Sequence, residues 1–202
     1  MRRAAAALAI LLAVAGGGAA GVAGARYAIS HRLESASEKL DGWTVNFNYG
    51  RYGSDLLLRA AMSQFGMGAN QAEESVYYST RTDADGRALD GRSTYVLHFE
   101  KGALPPVGAF WSLSAVGASD LFFVANPIGR YAIGDRTKGL TLNPDGSLDL
   151  RIQHDEPDEG AANWLPVPAG EFVLMLRAYE PKPEILLRTW SPPAVRRAER
   201  MA

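Results

Sequence analysis

The sequence predicts a mainly β protein: an antiparallel, jelly-roll-like β-sandwich with one or two short helices ahead of it and an N-terminal transmembrane or signal helix. Three observations predict it. Turn residues punctuate short apolar runs through the C-terminal half, as in Asn143-Pro144-Asp145-Gly146 and Asn163-Trp164-Leu165-Pro166. Several of those runs alternate apolar and polar residues, the period of a half-buried strand. Residues 4–25 carry no charged or strongly polar side chain.

That first segment is 22 residues long. As a helix it spans about 33 Å, close to the ~30 Å of a bilayer core. Arg2 and Arg3 precede it and Tyr27 follows, where interfacial aromatics often sit. Two readings fit. One is an uncleaved anchor crossing the membrane through residues 4–25, which the length favours. The other is a signal peptide with a basic start, an apolar region Ala4–Ala15 and a small-residue site Ala23-Gly24-Ala25, which the glycine-rich second half favours. Both export the rest of the chain. Arg26 and Arg32 nearly balance Arg2 and Arg3, so charge orients the segment only weakly. Gly17 and Gly21 form a GxxxG pair, a spacing that chance produces easily in an Ala/Gly-rich tract.

Residues 1–26 are thus the membrane or signal segment. Residues 27–42 follow as a helical stalk, with Ile29, Leu33, Ala36 and Leu40 at helical spacing and Asp41-Gly42 as its stop. A second helix is expected at about 54–65. Ser54 is its N-cap, Leu57, Leu58, Ala61 and Phe65 are its apolar stripe, and Gly66 is its end. Strands are expected at 76–81, 93–99, 110–116, 121–125, 148–152, 172–176 and 185–190, seven runs within a sandwich of about eight strands, in a domain of residues 43–193. Tyr95, Leu97 and Phe99 share one face of their strand. Leu148, Leu150 and Ile152 alternate with Asp149 and Arg151, and Phe172–Leu176 reads as buried on both faces. Residues 194–202 are expected as a polar tail.

Composition removes several function classes. The apolar fraction of 47% supports a real core. There is no cysteine, which excludes disulfides, thiolate metal sites and a cysteine nucleophile. Residues 1–32 carry +4 and residues 188–202 carry +3, which leaves −8 on residues 33–187 within a total of −1. An acidic globule does not attract phosphate backbones, so no nucleic-acid partner is expected.

A longer pattern runs through Tyr77, Asp83, Gly86, Leu89-Asp90-Gly91, Tyr95, Phe99, Leu104-Pro105-Pro106-Val107, Phe110-Trp111-Ser112-Leu113, Asn126, Arg130-Tyr131, Asp145-Gly146-Ser147-Leu148, Asn163-Trp164-Leu165-Pro166, Phe172, Arg177, Tyr179 and Pro181. On these residues, 43–193 resembles the family called domain of unknown function 1214. The resemblance implies a jelly-roll-like antiparallel sandwich with a helix packed near its start. Many relatives carry a companion domain ahead of it, where this chain shows only the apolar segment and stalk. Ser114-Ala115-Val116 stands where relatives often have Thr and Tyr. The family brings no agreed reaction.

The residues themselves offer little catalytic footing. There is no G-x-S-x-G elbow and no P-loop. Asp83-Ala84-Asp85-Gly86 opens like a calcium loop, but its glycine comes early and no glutamate follows at the required distance, so a hairpin turn is expected. His98 is expected as a hydrogen-bonded structural histidine. His154, Asp155, Glu156, Asp158 and Glu159 form an acidic run read as solvated. No metal and no cofactor are expected. The aromatic, amide and guanidinium groups Trp111, Asn126, Arg130, Tyr131, Asn163, Trp164 and Arg177 are the candidate ligand-binding set, suited to stacking and bidentate hydrogen bonds. The alternative for the same side chains is a role in the core and in bracing loops. The expected protein is a membrane-anchored envelope protein with its domain outside the cytoplasm, a cleaved secreted form being the second choice. It binds a carbohydrate or small polar ligand. The alternatives are a hydrolase of an envelope glycan or ester, using carboxylates and Arg130 or Arg177, and a structural interaction module.

Overall fold

The computed structural model describes residues 2–65 and 68–198. These divide into two compact units, one reaching Ala36 and taking in Arg51–Ala69, the other made of Ser37–Gly50 and the chain from Asn70 onward.

The helical unit holds α1 (Arg2–Ser35) and α2 (Leu56–Phe65). No residue of α1 is buried. Its most apolar window has a mean hydropathy of 2.1, and among the described residues it is the one helix long and apolar enough to cross a membrane. The helix runs unbroken from the apolar segment into the stalk. Asp55, not Ser54, caps α2: its Oδ1 accepts the N–H of Leu58 at 2.9 Å while its Oδ2 accepts from Arg32 Nε at 2.7 Å. Those two contacts, the Leu58 bond first, hold the Asp55 carboxyl below its ordinary range. The buried stripe is Leu58, Ala61 and Met62, while Leu57 is exposed. The expected stop at Gly66 lies outside the described residues.

The second unit is a two-sheet sandwich. Its strands are β1 (Glu38–Leu40), β2 (Trp43–Val45), β3 (Ser75–Thr80), β4 (Tyr95–Phe99), β5 (Val107–Gly117), β6 (Ile133–Gly134), β7 (Leu148–Gln153), β8 (Trp164–Pro166), β9 (Phe172–Pro181) and β10 (Arg196–Arg197), with a short helix α3 (Pro183–Leu186) after β9. The larger sheet has the order β1-β2-β3-β9-β5-β6 and the smaller β10-β4-β7-β8. Every pair is antiparallel except β7 with β8. The period-two patterns face the core as expected. Tyr95, Leu97 and Phe99 meet Leu148, Leu150 and Ile152 within the smaller sheet, and across the core they face Trp111, Leu113, Leu174 and Leu176. Tyr95 packs edge-on against Phe172 and Phe99 tilts against Trp111, which ties the two layers together.

Four expectations fail for local reasons. Residues 38–40 are a strand, because Asp41-Gly42 is a hairpin turn and not a helix stop. Both residues have positive φ, 49° and 84°, and Leu40 pairs with Trp43 across them. Residues 121–125 form no strand: Leu121 adopts φ 61° and the apolar run turns outward. Residues 185–190 give α3 and a turn, since Pro183 at the first helical position presets the helix. Arg196 and Arg197, expected in a polar tail, pair as β10 with Val96 and Tyr95. Residues 199–202 lie outside the described residues.

Candidate functional site

A groove of about 1090 Å³ opens where β4 begins, β7 ends and β10 pairs. Alternation along β7 points Leu150 and Ile152 inward and leaves Arg151 and Gln153 on the groove side. The segment Gly91–Thr94 forms one wall, the loop after β7 forms another through His154, Asp155, Asp158 and Glu159, and Arg197 of β10 adds a third. None of the described lining residues is Phe, Tyr or Trp.

The three arginines differ in how fully they are engaged. Arg92 forks onto Asp90, with Nε at 2.9 Å and Nη2 at 2.6 Å. The Arg92 guanidinium and backbone N–H together pull the Asp90 carboxyl down to about 2. Arg151 Nη2 stands 3.5 Å from Glu159, and Arg197 Nε stands 3.8 Å from Asp83. Charge-assisted hydrogen bonds run near 2.7–2.9 Å, so these two guanidiniums sit beside carboxylates without being locked to them. Asp83 is 4% exposed. Its Oδ1 accepts from the N–H groups of Asp85 and Arg87, closing the expected turn, while its buried Oδ2 has no hydrogen bond. Arg197 Nε is the group that faces this unbonded oxygen. His154 Nδ1 donates to the Val167 carbonyl at 2.8 Å, which fixes the ring at the groove wall.

None of the candidate residues from the sequence is among the described lining residues of this groove. Trp164 is 1% exposed, and its Nε1 donates to Gln153 O at 2.9 Å, fixing the end of β7. Arg130 Nη1 donates to the carbonyls of Ala161, Ala162 and Trp164, bracing the far end of the loop after β7. Asn163 ties residue 141 in both directions through Thr141 N and O, and also reaches Asp149 O. Asn126 Nδ2 donates to Arg130 O and its Oδ1 accepts from Arg130 N. Trp111 is buried in the core, and Arg177 donates to Ser114 Oγ. Tyr131 is exposed and tilts against Phe123 at 5.6 Å. The structure thus brings Asn126, Arg130, Asn163 and Trp164 into one bracing network and leaves Trp111 and Arg177 apart from it. His98 bonds Asp149 at 2.6 Å. Arg92, Arg151, Gln153 and Arg197 were not singled out by sequence; the one available signal was the outward parity of Arg151 and Gln153 on β7.

A second exposed feature is apolar. Between β5 and β6 the chain presents Leu121, Phe122, Phe123, Val124, Ile128 and Tyr131 to solvent.

Comparisons place these features in context. The family model described as protein of unknown function (DUF1214) matches residues 74–183. The crystal structure of the VPA0106 protein from Vibrio parahaemolyticus is similar over 71% of this chain and 35% of its own, with 26% identity and a TM-score of 0.60. A structure of an uncharacterised protein from Burkholderia cenocepacia aligns at 19% identity over 67% of this chain and 32% of its own, with a TM-score of 0.38. The chain therefore spans about a third of the length of these solved proteins. No curated protein matches it.

Proposed function

We propose, for a chain that belongs to the DUF1214 family of proteins of unknown function, that its sandwich is a binding domain for a carboxylate-bearing carbohydrate or similar small polar acid, held to the membrane by α1 with the sandwich outside the cytoplasm. One observation carries the ligand reading. Most of the groove's lining residues are polar, and Arg151 stands 3.5 Å from Glu159 while Arg197 stands 3.8 Å from Asp83 and reaches the Tyr95 hydroxyl at 3.5 Å. A ligand carboxylate would take the fork of Arg151, and sugar hydroxyls would bond Gln153, Asp155 and Asp158. The bracing by Trp164 and Arg130 holds the groove walls at fixed spacing, which lowers the ordering cost of binding. The length and apolarity of α1 support the anchor. The hydrolase reading named Arg130 or Arg177, and both guanidiniums are engaged elsewhere.

The test is calorimetric titration of the full chain in lipid nanodiscs with a uronic-acid oligosaccharide and its neutral counterpart. The acidic sugar should bind more tightly. Arg151→Ala should weaken it about tenfold or more, the worth of one charge-assisted hydrogen bond, and Arg151→Lys should restore little of that. Equal binding of both sugars, or an unaffected Arg151→Ala, would remove the proposal.

A further inference from the structure

Soluble domains bury runs such as Leu121-Phe122-Phe123-Val124, yet here Phe122 is 72% exposed and Phe123 51%. The exposure is held in place by specific contacts. At the near end Leu121 N donates to Gly117 O, Gly117 N to Phe122 O and Phe122 N to Asp120 Oδ1, all at 3.0 Å. Leu121 takes φ 61°, which is costly for a branched apolar residue and persists only where surroundings enforce it. At the far end the reciprocal Asn126–Arg130 pair closes the loop, and Arg130 is itself fixed to three carbonyls. Polar side chains and one strained residue are thus used to hold phenyl rings in water. Such an arrangement is a preorganised surface for an apolar partner.

Charge and the tether select the partner. Residues 120–142 carry Arg130, Arg136 and Lys138 against Asp120 and Asp135, a balance of +1, whereas residues 33–187 total −8. An apolar tip with a tyrosine beside it and the exposed bases Arg136 and Lys138 in the same connection matches the interface of an anionic bilayer, where rings enter the headgroup boundary and nearby bases are attracted to the negative surface. A bilayer is also what α1 is built to enter, and a tethered domain meets it at high effective concentration.

We infer that the 121–131 loop is a second, interfacial membrane contact that inserts Phe122 and Phe123 into the headgroup region of an anionic leaflet. The inference rests on the anchored reading only for the nearness of that leaflet. The chain has no cysteine, so Phe122→Cys gives a single labelling site. The full chain carrying an environment-sensitive fluorophore at that site is reconstituted into phosphatidylethanolamine–phosphatidylglycerol vesicles, with Val124→Cys as a second loop position and Asp158→Cys as the groove reference. Both loop labels should gain quenching by headgroup-nitroxide lipid and lose quenching by aqueous iodide, while the Asp158 label stays open to iodide. Loop labels that remain as open to iodide as the Asp158 label overturn the inference. So does loop protection that rises with protein density but is blind to nitroxide lipid, which would put a second copy on the loop. Ala13→Cys, read separately, reports on α1: its failure to reach lipid sinks the anchor while leaving the loop result to be judged by its own labels.

Discussion

Gly91→Ala offers a sharp test of how the groove wall is built. A Cβ at residue 91 would lie 1.9 Å from Pro168 O, 2.9 Å from Pro168 C and 3.2 Å from Ala169 Cα. All three atoms are backbone, so relief requires one chain segment to move off the other. Gly91 N donates to Gly170 O at 3.0 Å, and the adjacent Asp90–Glu171 bridge runs through the same contact. Overpacking of this kind costs about 1–3 kcal/mol, and losing the hydrogen bond adds about 0.5–1.5 kcal/mol. For a chain of this size, roughly 2–4 kcal/mol lowers Tm by roughly 4–16 °C. The assay is thermal unfolding of the detergent-solubilised full chain, followed by near-ultraviolet circular dichroism. Gly170→Ala is the internal control, because a Cβ there meets nothing within 4 Å. A Gly91→Ala protein that melts with the wild type, or a Gly170→Ala protein that loses as much as Gly91→Ala, would refute the close approach.

Two further outcomes are expected. The side-chain bond to Asp149, with smaller help from Glu100, raises the His98 pKa above its ordinary value. The stability contributed by its charged form is complete below the unfolded value of about 6.5 and fades as pH rises through the higher folded value. The Tm gap between wild type and His98→Gln should therefore shrink from pH of about 5 to about 8.5; a gap that widens contradicts the assignment. Arg130→Ala should cost about 1.5–3 kcal/mol and speed amide exchange in residues 161–164, with Arg130→Lys recovering less than half. Unchanged exchange there would show that the three carbonyl bonds do not hold the loop.

Strand periodicity was the most legible signal. The inward parity of Tyr95, Leu97 and Phe99 and of Leu148, Leu150 and Ile152 is written into the residues themselves, because one face of each strand must be dry. Leu121–Ala125 misled for the complementary reason. An unbroken apolar run carries no parity, and what turns it outward is a set of backbone bonds around Gly117 and Asp120 that composition does not reveal. The groove was illegible as a unit. Arg92, Arg151 and Arg197 come from three separate stretches, and only the pairing of β10 with β4 and of β4 with β7 makes them neighbours. Trp164 and Arg130 were recognisable as special without their job being visible, since a ring that props a strand end and a ring that meets a ligand look alike in one dimension.

Glu38 has a mechanical consequence. It is the first strand residue after α1, and both of its carboxylate oxygens are gripped by Arg188, at 2.6 and 2.8 Å, from 150 positions further along the chain. In the anchored reading proposed above, a pull on α1 would reach the sandwich through residues 36–37 and meet this buckle at its first strand. β1 pairs through only three residues; the buckle fastens its leading end to the turn after α3, so a load on it would be carried by Arg188 as well as by the first rung.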